Sequence, residues 1–193
     1  MRIILASNSP RRKEILNQLN LDFDIIPSDF EEAPVDMEPH DLVEHYAYMK
    51  AMDVFSKVRT NIEPDTYIIG SDTIVYSQKV MGKPKSEAEA FEMLKELSNK
   101  EHQVISGLCI IQAHTGKSIT VHESTKVWIR ELHEREIRNY IASGEPMDKA
   151  GAYAIQGLGS LFVEKVQGNY FNVVGLPVNA LFKIMNQFGV NLI

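Results

Sequence analysis

The chain opens on Arg2-Ile-Ile-Leu-Ala-Ser-Asn-Ser-Pro-Arg-Arg-Lys13, a short apolar run that ends at a serine-rich turn and passes straight into a basic segment. Any fold this chain adopts must start from that junction. Ile3 to Ala6 reads as a strand, and Ser9-Pro10 reads as the start of a helix. Ser9 is expected to cap free N–H groups there, and Pro10 lacks the N–H that would otherwise go unpaired. A helix N-terminus favours anions, because its unpaired N–H groups and its dipole point the same way. Arg11, Arg12 and Lys13 oppose that dipole unless an anion meets them, so the junction reads as a phosphate site. The plainer alternative is a helix with solvated basic side chains on its exposed face. No Gly-x-x-x-x-Gly-Lys-Ser/Thr occurs, so P-loop chemistry is unsupported.

Beyond the first helix, where Ile15, Leu16 and Leu19 share a face, Phe23 to Ile26 reads as a second strand. A polar, acidic, proline-containing segment runs from Asp29 to Pro39. Asp41 to Val58 has helical spacing, with Leu42, Tyr46 and Met49 on one stripe and Val43, Lys50 and Val54 nearby. Tyr67 to Tyr76 is a strand candidate, and Ser86-Glu-Ala-Glu89 is a capping box that opens a helix running to Leu97. His102 to Gln112 and Ile119 to Ile129 read as two strands joined by the turn His114-Thr-Gly-Lys117. A helix is predicted from Glu134 to Ala142, a strand near Ser160 to Val166, and a last helix opening at Pro177. Mixed strand and helix signals with hairpins predict an α/β fold with a mixed β-sheet, in a single domain over residues 1–193.

Of the 193 residues, 44% are hydrophobic and 24% charged, which supplies a core and argues against disorder. A net charge of −6 opposes broad binding to nucleic acid or an anionic membrane. The basic junction is then a local feature, suited to a small anion. Apolar runs such as Leu108-Cys-Ile-Ile111 are too short to span a bilayer, and the opening strand is too short for a secretory signal. The single cysteine, Cys109, reads as a buried thiol in a reducing, cytoplasmic setting.

Asp72 is the next candidate, a carboxylate inside the apolar run Tyr67 to Tyr76. Burying an unpaired carboxylate is costly, so Asp72 is expected to face a metal, a cation or a cleft; the alternative is a structural aspartate bonded to backbone. Gly70 beside it permits close approach by a backbone or a ligand. Lys83 in the turn-like Met81-Gly-Lys-Pro84, Lys50 beside an apolar stripe, and Lys149 add cations. Glu31 and Glu32 in the acidic segment add carboxylates, and Gln156 adds an amide among small residues. Clustered cations with carboxylates able to hold Mg²⁺ suit phosphoanhydride hydrolysis. The six histidines give no zinc spacing, and no serine stands in a Gly-x-Ser-x-Gly context.

Ser7-Asn-Ser-Pro-Arg-Arg12, Gly70-Ser-Asp-Thr73, Gly82-Lys-Pro84, Asp148-Lys-Ala-Gly-Ala-Tyr153 with Ile155-Gln-Gly157, and Val174-Gly-Leu-Pro177 occur in this order. Together, and nearly end to end, they resemble the Maf (septum formation protein) family of nucleotide pyrophosphatases. The resemblance implies two lobes around a cleft, similar to inosine triphosphate pyrophosphatases, in a protein that is often dimeric. It implies hydrolysis of nucleoside triphosphates to monophosphate and pyrophosphate with a divalent cation (Mg, Mn or Co), with links to nucleotide housecleaning and cell-division arrest. By the same resemblance Asp72 is the catalytic acid residue, as general base or metal ligand, and Glu32 handles metal or water. Ser9, Arg11, Arg12, Lys50 and Lys83 would surround the triphosphate, while Arg11, Thr73 and Gln156 would choose the substrate. That trio matches the dTTP/UTP-hydrolysing class rather than the 7-methyl-GTP class. Ser71 and Ala154 stand where many relatives carry Ala and Gly. The rival reading is a non-catalytic regulator of septum formation that binds nucleotide or protein without turnover.

Overall fold

β1 (Arg2–Leu5) takes a place inside a sheet, because Ile3, Ile4 and Leu5 are all buried and a strand covered on both faces needs a continuous apolar run. It pairs in parallel with β2 (Phe23–Ile25) and with β3 (Thr66–Ser77), setting Ile4 opposite Asp24 on one side and Ile68 on the other. β4 (Lys79–Met81) folds back antiparallel on β3. β5 (Lys100–Gln112) and β6 (Lys117–Ile129) follow, and β7 (Val163–Gln167) pairs antiparallel with β6. The sheet has seven strands in the order β2-β1-β3-β5-β6-β7, with β4 on β3, and is mixed as the sequence implies. This computed structural model describes residues 1–33, 35–59 and 63–193. Pro34, part of the acidic segment read from the sequence, lies outside them.

The chain divides into two compact units, residues 1–72, 106–123 and 175–193 in the first, and 73–105 and 124–174 in the second. In the first, α1 (Pro10–Gln18) buries Ile15 and Leu16, and α6 (Val178–Gln187) buries Leu181, Ile184 and Met185. α2 (Pro39–Val58) lies on the sheet through Val43, Ala47, Ala51 and Val54 and also buries Leu42 and Tyr46, while Met49 stays half-exposed. The contact is made by small residues because the helix backbone itself touches the strands. A Cβ on Gly70 would strike the Ala47 carbonyl, and one on Gly107 would strike the carbonyl of Val43. Cys109 is fully buried, and burial pushes its thiol up to about 11 against a hydrogen bond to Thr120. It is therefore a core residue rather than a nucleophile.

The second unit holds α3 (Glu87–Leu97), α4 (Glu134–Ala142) and α5 (Tyr170–Val174) around a core that includes Leu94, Val127, Ile137, Tyr140 and Phe162. α4 coincides with its predicted span. Ser86 caps α3 by accepting the Glu89 amide at 3.2 Å, but the Glu89 carboxylate takes the amide of Lys85 at 2.7 Å, one residue before the box requires. Residues 145–162 differ more from expectation. Three 3₁₀ turns, Glu145–Asp148, Ala150–Ala152 and Gly157–Phe162, occupy this stretch, so β7 begins only at Val163 rather than near Ser160. Glycines at positive φ break any period there that sequence patterning could detect.

Candidate active site

α2 and β3 bring the first cluster together. The close packing at Gly70 sets Lys50, on α2, against Asp72, two residues along the strand. Lys50 Nζ donates to Asp72 Oδ1 at 2.7 Å and to Glu32 Oε1 at 2.5 Å. The side chains of Lys50 and Asp72 are 13% and 8% exposed, whereas Glu32 is 48% exposed. Asp72 thus meets a cation, one of the outcomes its burial demanded. Glu31, also exposed, makes no such contact among those described.

Arg12 joins this cluster electrostatically. Burial pushes its guanidinium pKa down, the charges of Asp72 and Glu32 push it back up, and Arg11 adds to the lowering. Arginine stays charged regardless. Its Nε donates to the Gly175 carbonyl at 2.8 Å and its Nη1 to the Ser7 hydroxyl at 3.1 Å. Buried Ser71 also donates to the Gly175 carbonyl, at 3.2 Å. The first, second and fifth sequence motifs therefore meet at one carbonyl oxygen. Ser9 occupies the N-cap position with Pro10 behind it, yet its side chain makes no capping hydrogen bond. This corrects the expected cap. The turn is organised by Ser7 instead, whose hydroxyl accepts the Ser9 amide at 3.2 Å, and Ser9 contributes its carbonyl to the Lys13 amide. The helix start keeps its anion-favouring character without a side-chain oxygen bonded to its amides.

Thr73, Lys83, Lys149 and Gln156 belong to the second unit. Thr73 is half-buried on β3 and Lys83 is exposed in the loop after β4. The Gly82 carbonyl beside Lys83 accepts the Gly151 amide at 3.0 Å, which ties the third motif to the fourth. Lys149 is held by the Glu145 carbonyl at 2.5 Å and the Asp148 carboxylate at 2.6 Å. Gln156 is half-buried and extended, immediately before Gly157 at φ 68°. Glu145, which the sequence did not single out, organises this turn. Its carboxylate accepts the amides of Leu158 and Gly159, each at 3.0 Å, and the Tyr140 hydroxyl at 3.0 Å. Burial raises its pKa, but those donors and Lys149 outweigh burial and hold the carboxyl below its usual range.

Tyr46 was also missed, because a tyrosine on an apolar stripe reads as core. It is buried, but its hydroxyl donates to the Ala33 carbonyl at 2.7 Å, next to Glu32. Burial and then the negative charges of Glu32 and Asp72 push its phenol pKa up. His45 packs its ring against Tyr46 at 5.8 Å and Phe30 at 6.4 Å, and two other histidines pair with each other. His40 stacks on His122 at 4.5 Å, and His122 Nδ1 lies 2.6 Å from Glu44. Among the described residues no group of three or more His, Cys, Asp or Glu side chains is placed to hold a metal ion. Asp72 and Glu32 nevertheless converge on one cation, and a pair of hard carboxylate oxygens is what Mg²⁺ takes when substrate oxygens and water complete its shell.

A mixed seven-stranded sheet with these motif residues gathered on Lys50 and Gly175 marks out one class of protein. Residues 2–188 match the family model described as "Maf-like protein", and the chain belongs to that family. A dTTP/UTP pyrophosphatase of Thermoanaerobacter sp. (strain X514) is 48% identical, with 100% of both chains covered. One of Alkaliphilus metalliredigens (strain QYMF) is 46% identical over 100% of this chain and 99% of its own. Among solved structures, the Staphylococcus aureus Ham1 protein matches with a TM-score of 0.50 at 13% identity, covering 97% of this chain and 100% of that one. That last likeness is one of fold alone. No helix among the described residues is long and apolar enough to cross a membrane.

Proposed function

We propose that this chain is a nucleoside triphosphate pyrophosphatase that hydrolyses dTTP, UTP and related pyrimidine nucleotides to the monophosphate and pyrophosphate. The observation that carries the reading is the convergence of Asp72 and Glu32 on Lys50, with the charge of Arg12 felt alongside. Family membership and the names of full-length relatives support it.

In this reaction a water oxygen bonds to the α-phosphorus, the bond from that phosphorus to the bridging oxygen breaks, and pyrophosphate leaves with the added negative charge. Asp72 is proposed to take the water's proton or to hold the cation that acidifies that water. Arg11, Arg12 and Lys50 neutralise charge on the phosphate oxygens, a preorganised electrostatic contribution. Lys83 is proposed as a further phosphate cation, and Ser9 as a phosphate contact at the start of α1, on the strength of the motifs they match. A divalent cation (Mg, Mn or Co) held by Asp72 and Glu32 would supply charge neutralisation and an acidified water. Thr73 and Gln156, with Arg11, are proposed to select the base. The neutral amide of Gln156 can both donate to and accept from a uracil or thymine edge, which offers two carbonyls around one N–H. A cytoplasmic homodimer is part of the same proposal.

Product analysis tests the reading. Purified protein with dTTP, UTP and a purine panel should release pyrophosphate and monophosphate, stop on chelation by EDTA, and favour pyrimidines. Orthophosphate with diphosphate as co-product would place attack at the γ-phosphorus and overturn it.

A further inference from the structure

One line of side chains on α2 grips the segment that carries Glu32. Tyr46, Lys50, Asp53 and Lys57 follow one another at helical spacing and so share a face. Tyr46 donates to the Ala33 carbonyl at 2.7 Å, and Lys50 reaches Glu32 at 2.5 Å. Asp53 Oδ2 accepts the Ser28 hydroxyl at 2.9 Å and the Asp29 amide at 2.8 Å. Lys57 bonds both Asp29 and Asp53 at 2.8 Å. The Ser28 hydroxyl in turn accepts the Phe30 amide at 3.0 Å, and the Phe30 ring packs on Tyr46 at 6.1 Å between centroids. Residues 27–33 have no helix or strand of their own, so this ladder sets their course.

We infer that Tyr46 and Asp53, with Lys57, are positioning residues that fix the loop of residues 27–33 on α2 and thereby hold the Glu32 carboxylate at the Lys50–Asp72 pair. The inference rests on the part proposed above for Glu32 in the reaction. The ion pair alone is a weak tether. Glu32 is half-exposed, and an exposed pair holds one flexible side chain in water with little energy. Backbone anchors on either side of Glu32, at Asp29 and Ala33, leave its side chain few places to go. None of the three positioning residues needs to touch substrate, which distinguishes them from Lys50.

The test combines a double-mutant cycle with amide exchange on the full-length protein. Glu32→Gln, Tyr46→Phe and Asp53→Ala are made singly, and the last two are each combined with Glu32→Gln. Tyr46→Phe and Asp53→Ala are expected to lower kcat ~5–30-fold, the scale of one or two lost hydrogen bonds, with KM for the triphosphate nearly unchanged. In the Glu32→Gln background they should lower it no further, because their effect passes through Glu32. Hydrogen–deuterium exchange should speed up at Asp29 and Phe30 in Asp53→Ala while α2 stays protected. Additive losses, or unchanged exchange across residues 27–33, would overturn the inference. A fully active Glu32→Gln protein whose loop still loosens in Asp53→Ala would withdraw the catalytic reading of Glu32 and leave the pinning in place.

Discussion

Lys50 Nζ stands 2.7 Å from Asp72 Oδ1 with both side chains nearly enclosed, and it holds Glu32 at 2.5 Å on its other side. The ammonium therefore has two carboxylates, and Asp72 also interacts electrostatically with the Arg12 guanidinium. The two members of the pair differ in what their removal leaves behind. Without Asp72, Lys50 keeps Glu32. Without Lys50, both carboxylates lose the cation they share, and the buried Asp72 keeps only the field of Arg12.

Asp72→Asn is accordingly expected to fold, losing about 1–2 kcal/mol for one exchanged hydrogen bond in a packed site. Its turnover should fall at least ~10²-fold, the low end for removing a general base or metal ligand. Urea denaturation and rates on dTTP measured on the same preparation separate the two effects. Failure to fold, or full activity per folded molecule, would make Asp72 a structural residue.

Lys50→Met should be the more damaging change to stability, by about 3 kcal/mol, because a buried carboxylate left without its partner is the expensive half of a broken ion pair. A divalent cation binding Asp72 and Glu32 would return part of that loss by mass action. Thermal melts with and without Mg²⁺ or Mn²⁺ should therefore show a larger metal-dependent rise in Lys50→Met than in wild type. An equal response, or none in either protein, would count against these two carboxylates as metal ligands.

How the sequence foretold this cluster, and where it fell short, follows from the range of the interactions involved. Asp72 and Lys50 each broke an apolar pattern, so each advertised a need for an opposite charge, and the structure pairs them. α4 was legible to the residue because its period and its terminal glycine are local. The meeting of Arg12 and Ser71 on the Gly175 carbonyl was not, since nothing near Arg12 in the sequence marks a partner 163 residues away. Ser9 was the expected cap from its place before Pro10, and only the folded turn shows the Ser7 hydroxyl taking the Ser9 amide and the Arg12 guanidinium while the Ser9 side chain caps nothing. Glu145 looked like one more surface acid, because its donors are backbone amides of residues 158 and 159 and backbone amides are present everywhere in a chain.

Gln156, proposed above to read the base, directly precedes the turn that Glu145 holds through the amides of Leu158 and Gly159. Gln156→Glu is expected to narrow the preference for dTTP over 7-methyl-GTP by about 1–3 kcal/mol, the usual loss when a polar partner is mismatched. The glutamate accepts but does not donate, which suits a base edge presenting N–H groups rather than carbonyls. Competition assays with both nucleotides in one vessel give the ratio directly. A ratio unchanged in the variant would remove Gln156 from substrate choice.

His102 makes the stability of the second unit depend on pH. It is 3% exposed, its Nε2 lies 2.6 Å from the Tyr153 hydroxyl, and the two rings meet edge to face at 5.3 Å. Burial lowers its pKa from 6.5 to about 4, with the charge of Glu101 opposing the shift. The unfolded chain thus binds a proton between pH 6.5 and about 4 that the folded chain refuses. Folding keeps its full stability above the higher value, loses it steadily as pH falls, and stops losing it below the lower one. The whole window is worth on the order of 3 kcal/mol, and lowering the pH to 5 spends about 2 of it. His102→Gln keeps a group that can bond the Tyr153 hydroxyl but binds no proton. Urea midpoints at pH 7.5 and 5 should converge more closely in the variant than in wild type. Parallel losses in the two proteins would assign the acid sensitivity to other groups.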